Sequence, residues 1–279
     1  MFMITRGWRL GAVVMLTALC ASGAGGPGIV RAASDLGPLP GDQYSYTSQD
    51  FQKGERATAL LVRQCMAEHG HGHFPLDPRY PTDPIRVAAV STSYGALDLE
   101  AARRWGYGWD PETDAARQPK GRRMTVAEFA DFPACNAQAD ERLMRGIDVK
   151  RDWLYSGRRA AAIDEAVKHD PRLRAAFKVW SRCVTEHGFT RYPDPVAAYS
   201  DTAWRRNSDG NTRHTLQERA TAAADVTCKR RHRTAEIWHA ARAREQAADI
   251  TTHRARYTAS LKALRTYRAT LTHVLTKLG

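Results

Sequence analysis

From Asp170 to Gly188, Leu173, Ala176, Phe177, Trp180, Cys183 and Val184 recur every third or fourth position, which predicts a helix with one apolar face. Asp170-Pro171 opens it as an N-cap followed by proline at the first helical position, and Gly188 closes it. An earlier run, from about Asp50 to His69, puts Ala57, Leu61 and Cys65 on one face beside Leu60 and ends at Gly70. Thr125-x-x-Glu128 reads as a capping box opening a helical turn, after which Pro133 restarts a helix through Cys135, Ala139 and Leu143. Thr215-x-x-Glu218 caps a further helix that passes through Cys228. Beyond it, Ile250, Tyr257, Leu264, Leu271 and Leu278 recur every seven residues, with Tyr267 and Val274 between them and Leu261 and Leu275 alongside. That is an amphipathic helix in want of a partner surface, in cis or in trans. Unbroken from Cys228 it would run roughly 75 Å, and Thr251-Thr252 is its weakest point.

Two of these helices end alike. Cys65-Met-Ala-Glu68-His69-Gly70-x-x-x-Phe74-Pro75 is echoed by Cys183-Val-Thr-Glu186-His187-Gly188-x-x-x-Tyr192-Pro193. Each copy is followed at a distance by one more cysteine, Cys135 and Cys228. In an oxidising compartment these four cysteines form a disulfide framework with three pairings open to it. The repeat favours Cys65–Cys135 with Cys183–Cys228, and the rival is a cross-link between the matched helices, Cys65–Cys183. A local bridge over such a loop contributes about 2–4 kcal/mol. The expected fold is therefore mainly α, with two disulfide-stapled helical units (residues 51–150 and 151–228) followed by a long basic C-terminal helix (229–279).

The start of the chain reads differently. Arg6 and Arg9, the apolar run Leu10–Leu19 and the small residues up to Ala32 make residues 1–32 a signal peptide. The apolar run is shorter than the roughly 20 residues of a membrane span. Cys20 stands where a lipoprotein cysteine would, although Leu19 before it is bulky; lipidation there is the secondary reading. Residues 33–50, rich in Gly, Pro, Ser and Tyr without periodicity, read as a flexible tether. Ile85–Val90 is the one β-like piece, and residues 110–123 read as a loop. The chain has 279 residues, 43% hydrophobic and 26% charged, with mean hydropathy −0.53, which is a globular composition.

Charge is unevenly placed. The formal net charge is +12, and residues 229–279 carry twelve Lys or Arg against three acidic residues, a local +9. With +3 in residues 1–32, residues 33–228 are formally neutral. Arg230, Arg231, Arg233, Arg242, Arg244, Arg254, Arg256, Arg265 and Arg268 thus form a candidate surface-binding set. An exported protein rarely meets nucleic acid, so the expected partners are an anionic cell-envelope polymer, lipid headgroups or a partner helix, self-association through the C-terminal helix included. The plainer alternative is a solvated outer face on a helix that packs against its own domain.

Candidate chemistry is sparse. In His69-Gly-His71-Gly-His73 an extended backbone would put three imidazoles on one side, a ligand set suited to zinc or copper. The second copy keeps only His187, with Phe189 and Arg191 at the matching places. The shared histidine also suits the last turn of a helix without any metal. Trp105-Gly-Tyr107-Gly-Trp109 offers aromatic faces to a ligand, or a glycine-permitted turn that tucks aromatics into the core. Glu68 and Glu186 are catalytic carboxylates on one view and exposed helix-end residues on the other. Gly-x-Ser-x-Gly, His-Glu-x-x-His and phosphate-loop patterns are missing from the chain. The expectation is a non-enzymatic envelope protein of binding type, with a metal-binding protein or an envelope hydrolase as alternatives.

The signal segment, the Cys-x-x-Glu-x-Gly helix ends, the Tyr107-Gly-Trp109 box and Cys228 leading to Glu236-Ile237-Trp238 resemble a group of exported proteins of high-GC Gram-positive bacteria. Many of that group look like lipoproteins. The resemblance implies an exported, envelope-associated location and a helical fold style, and it implies no activity.

Overall fold

The computed structural model describes residues 30, 32–76, 94–112, 121–208 and 210–279. The signal segment but for residues 30 and 32, Cys20, Ile85–Val90 and residues 113–120 of the expected loop lie outside the described residues. Within them the chain is mainly α-helical: α1 (Ser48–Glu68), α2 (Leu99–Trp105), α3 (Val126–Leu143), α4 (Tyr155–Val167), α5 (Pro171–Glu186), α6 (Pro195–Tyr199), α7 (Leu216–Arg231), α8 (Thr234–Thr252) and α9 (Arg254–Leu278). No helix of the described residues is long and apolar enough to cross a membrane.

The helix boundaries follow from capping chemistry. Thr47 and Asp50 bond each other's backbone N–H at the start of α1, and Thr125 and Glu128 do the same for α3. Asp170 accepts the N–H groups of Arg172 and Leu173 ahead of Pro171. Gly70 and Gly188, at φ +91° and +86°, take the left-handed turn that ends α1 and α5.

Two expectations are corrected. Helix α3 does not restart at Pro133 but runs straight through it. Pro133 is exposed and Phe129, whose carbonyl the ring deprives of a donor, is 46% exposed, so water can take that carbonyl. The continuous helix expected after Cys228 is broken twice, at His232–Arg233 and at His253. Arg233 sits in the left-handed region at φ +52°. Next to His253, the hydroxyls of Thr251 and Thr252 bond the carbonyls of Ala247 and Ala248, a back-bonding that bends helices.

Packing does not follow chain order. The first core joins α1, α3 and α9: Leu61, Met66, Phe132 and Leu143 meet Tyr267, Leu271 and Val274. The heptad column is thereby used within the chain, with Tyr257, Leu264 and Leu271 buried. The second core joins α5 and α7 around Trp180, Val184 and Val226, and takes in Ala102 and Tyr107 from earlier in the sequence. Smaller clusters seat α4 and α5 on α8, through Ile163, Val167, Leu173 and Ala241. The stretch before α1 lies against α8 and α9: the Gly41 N–H donates to Gln246 Oε1 at 2.8 Å, and the Tyr44 ring stands 4.8 Å from that of Tyr257. Cys65–Cys135 staples α1 to α3, and Cys183–Cys228 staples α5 to α7, with Cα separations of 5.6 and 5.8 Å.

Candidate functional site: two Cys–His–Cys corners

His69 follows Cys65 by four positions and His187 follows Cys183 by four, about one helical turn, so each imidazole lies over the face that carries its cysteine. His69 and His187 are the C-cap residues of α1 and α5. The partner sulfurs come from the interiors of α3 and α7. The result is two corners, Cys65–His69–Cys135 and Cys183–His187–Cys228, and in each the three ligand atoms lie within 4.8 Å of one another. The cysteines are buried and the histidines exposed.

The two corners differ around the imidazole. His187 Nδ1 is 2.9 Å from the Cys183 carbonyl oxygen and 4.0 Å from Cys228 Sγ. His69 Nδ1 instead lies 4.0 Å from Asp131 Oδ1. The other Asp131 oxygen is 2.8 Å from His71 Nε2. Asp131 stands one turn before Cys135 on α3, whereas the matching position before Cys228 is Ala224. His71 is matched by Phe189, which packs against the second core.

The three-histidine set is not gathered as one ligand cluster. His69 belongs to the cysteine corner and His71 faces Asp131. His73 lines a cavity of about 390 Å³ with Arg63, Gln64, Phe74 and Leu278. Glu68 accepts a hydrogen bond from Gln64, and both Glu68 and Glu186 are exposed. The aromatic box is a core element: Tyr107 and Trp109 are buried, Trp105 partly so, and a Cβ on Gly106 would stand 2.5 Å from Glu218 Oε1.

Most of the candidate surface arginines are engaged with their own chain. Arg242 pairs with Asp164, Arg244 with Asp170, Arg256 with Asp152 and Arg268 with Asp50. Arg230 donates to the Leu97 carbonyl at 2.9 Å. Arg231, Arg233, Arg254 and Arg265 stand exposed without such a tie to a distant element, Arg233 beside Glu236 at 3.5 Å, and Arg244 is exposed although paired. The hydrogen bonds from Arg268 hold the Asp50 carboxyl well below the usual carboxylate range.

Sequence reasoning missed Asp131 and the union of each histidine with its cysteine pair. The signal was present in the repeated Cys-x-x-x-His spacing, one helical turn in both copies. As linked sulfurs, the cysteines are not ligands; opened to thiols, each pair plus its histidine is a Cys₂His donor set of the kind that suits Zn²⁺ and Cu⁺. No family model, curated protein or solved structure matches the chain.

Proposed function

We propose that this is an exported, envelope-associated helical protein of binding type that takes up a soft cation at its Cys–His–Cys corners when their bridges are opened. The observation that carries the reading is the repetition of the donor geometry, three ligand atoms within 4.8 Å in each half. Opening a bridge needs a dithiol reductant, which passes two electrons and two protons to the cysteine sulfurs and leaves as its own disulfide. The cation then displaces the thiol protons, so uptake falls with acidity.

The test is elemental analysis of protein purified without a polyhistidine tag. Reduced protein kept under nitrogen is expected to hold Zn²⁺ after desalting, and oxidised protein none. Equal zinc content in the two forms would refute the proposal.

A second reading is contact with an anionic envelope surface through Arg231, Arg254, Lys262, Arg265 and Lys277, which are exposed. It is the weaker one, since five of the nine arginines first assigned to that surface serve internal contacts. Charge-reversing the exposed set and measuring retention on anionic vesicles at two salt concentrations tests it. Unchanged retention removes it.

A further inference from the structure

We infer that the two corners have divided their roles: Cys65–Cys135 is the reducible, metal-binding corner, and Cys183–Cys228 is a permanent staple. This rests on the proposed function and specifies which site performs it. Three observations separate the corners.

The first is access. Cys65 keeps 7% of its surface exposed, against 2% for Cys183 and none for Cys135 or Cys228, and both histidines are exposed. A thiolate reductant must reach a sulfur to attack it, and Cys65 is the one it meets. Its attack breaks the Cys65–Cys135 bond and forms a mixed disulfide; the reductant's second thiol then releases the protein cysteine and closes the reductant's own disulfide.

The second is the donor count. Beside the first corner stands Asp131, with Oδ1 4.0 Å from His69 Nδ1. Two thiolates and one imidazole leave a tetrahedral Zn²⁺ one ligand short; Asp131 lies outside the 4.8 Å set and would have to close on the cysteines to supply the fourth. The second corner has Ala224 at that place and so no carboxylate one turn before its second cysteine.

The third is support. His71 Nε2, 2.8 Å from Asp131 Oδ2, holds the carboxylate and leaves its other oxygen on the His69 side. Outer partners of this kind set ligand orientation and affinity. In the second copy the place of His71 belongs to Phe189, a packed apolar ring. There His187 Nδ1 faces the carbonyl of Cys183 rather than a carboxylate.

The experiment uses the full chain with Co²⁺ as the probe, because cobalt bound by thiolates absorbs in the near ultraviolet. Graded reduction followed by alkylation and peptide mapping is expected to label Cys65 and Cys135 before Cys183 and Cys228. Partly reduced protein should then bind one Co²⁺ per chain. Asp131→Asn should weaken that binding about tenfold or more, with the circular dichroism unchanged. His73→Ala, outside the donor set, should leave it unaltered. Simultaneous labelling of all four cysteines, two equal cobalt sites, or unchanged affinity in Asp131→Asn would overturn the division of roles and leave the broader reading standing. No thiolate–cobalt band in fully reduced, folded protein would overturn both.

Discussion

Glu218 accepts the backbone N–H of Tyr107 at 2.8 Å, joining residues 111 positions apart inside the second core. The same oxygen takes the Thr212 hydroxyl at 2.6 Å. Glu218 was expected to complete a capping box with Thr215. Thr215 does accept the Glu218 N–H, but the carboxylate turns inward to hold the aromatic turn. Glu218→Ala would strand two buried donors and is expected to cost about 2–4 kcal/mol, read from the urea midpoint at constant slope. Glu218→Gln, which keeps an acceptor, should lose less. Gly106→Ala should rival the alanine variant, since its φ is +63° and the added carbon runs into Glu218.

The two staples close loops of 70 and 45 residues. Replacing either pair by alanines is expected to lower stability by about 4 kcal/mol on the chain-entropy account. Non-reducing peptide mapping should recover Cys65–Cys135 and Cys183–Cys228 as linked peptides. A Cys65–Cys183 peptide would contradict the fold.

Asp50, held low by Arg268, and Glu128, held at about 2 by Arg122, both have carboxyls whose folded values are depressed. Such groups stabilise the fold fully above the unfolded carboxylate value near 4, and the contribution fades as pH falls toward the folded value. Arg268→Ala is therefore expected to cost about 1–3 kcal/mol at pH 7, discounted for the half-open arginine. That cost should shrink between about pH 4 and pH 2. Denaturant midpoints across that range check it; a cost independent of pH would deny the pairing its role.

Asp225 and Lys229 form an ion pair at 2.9 Å that is almost wholly buried, with the Trp180 indole N–H also donating to Asp225. Burial pushes the Asp225 carboxyl up, against the pull of Lys229. Lys229→Met would leave that carboxylate without its counter-ion and is expected to cost about 3–5 kcal/mol. Adding Asp225→Asn to it should restore part of the loss, which a double-mutant cycle would quantify.

What the sequence made legible was local. Thr47, Thr125, Asp170, Gly70 and Gly188 announce their helix ends because capping needs only neighbouring atoms. The favoured cysteine pairing followed from the repeat. Helix α4 went unread, since its apolar signal amounts to Ile163 and Val167 at the end of an alanine run. The destinations of the arginines were also hidden. Arg242 and Asp164, or Arg268 and Asp50, are 78 and 218 positions apart, and no spacing rule connects them. The three histidines part for a related reason: alternation along His69, His71 and His73 assumes extended backbone, whereas a helix end and a glycine turn put His69 and His71 on either side of Asp131 and His73 in the cavity by Leu278.

Helix α9 fills the first core from much later in the sequence than α1 and α3. A chain made from its N-terminus thus holds Leu61, Met66 and Phe132 without their cover until synthesis reaches Val274. Residues 254–278 are a keystone set late, and removing them would open the arch beneath rather than strip an ornament.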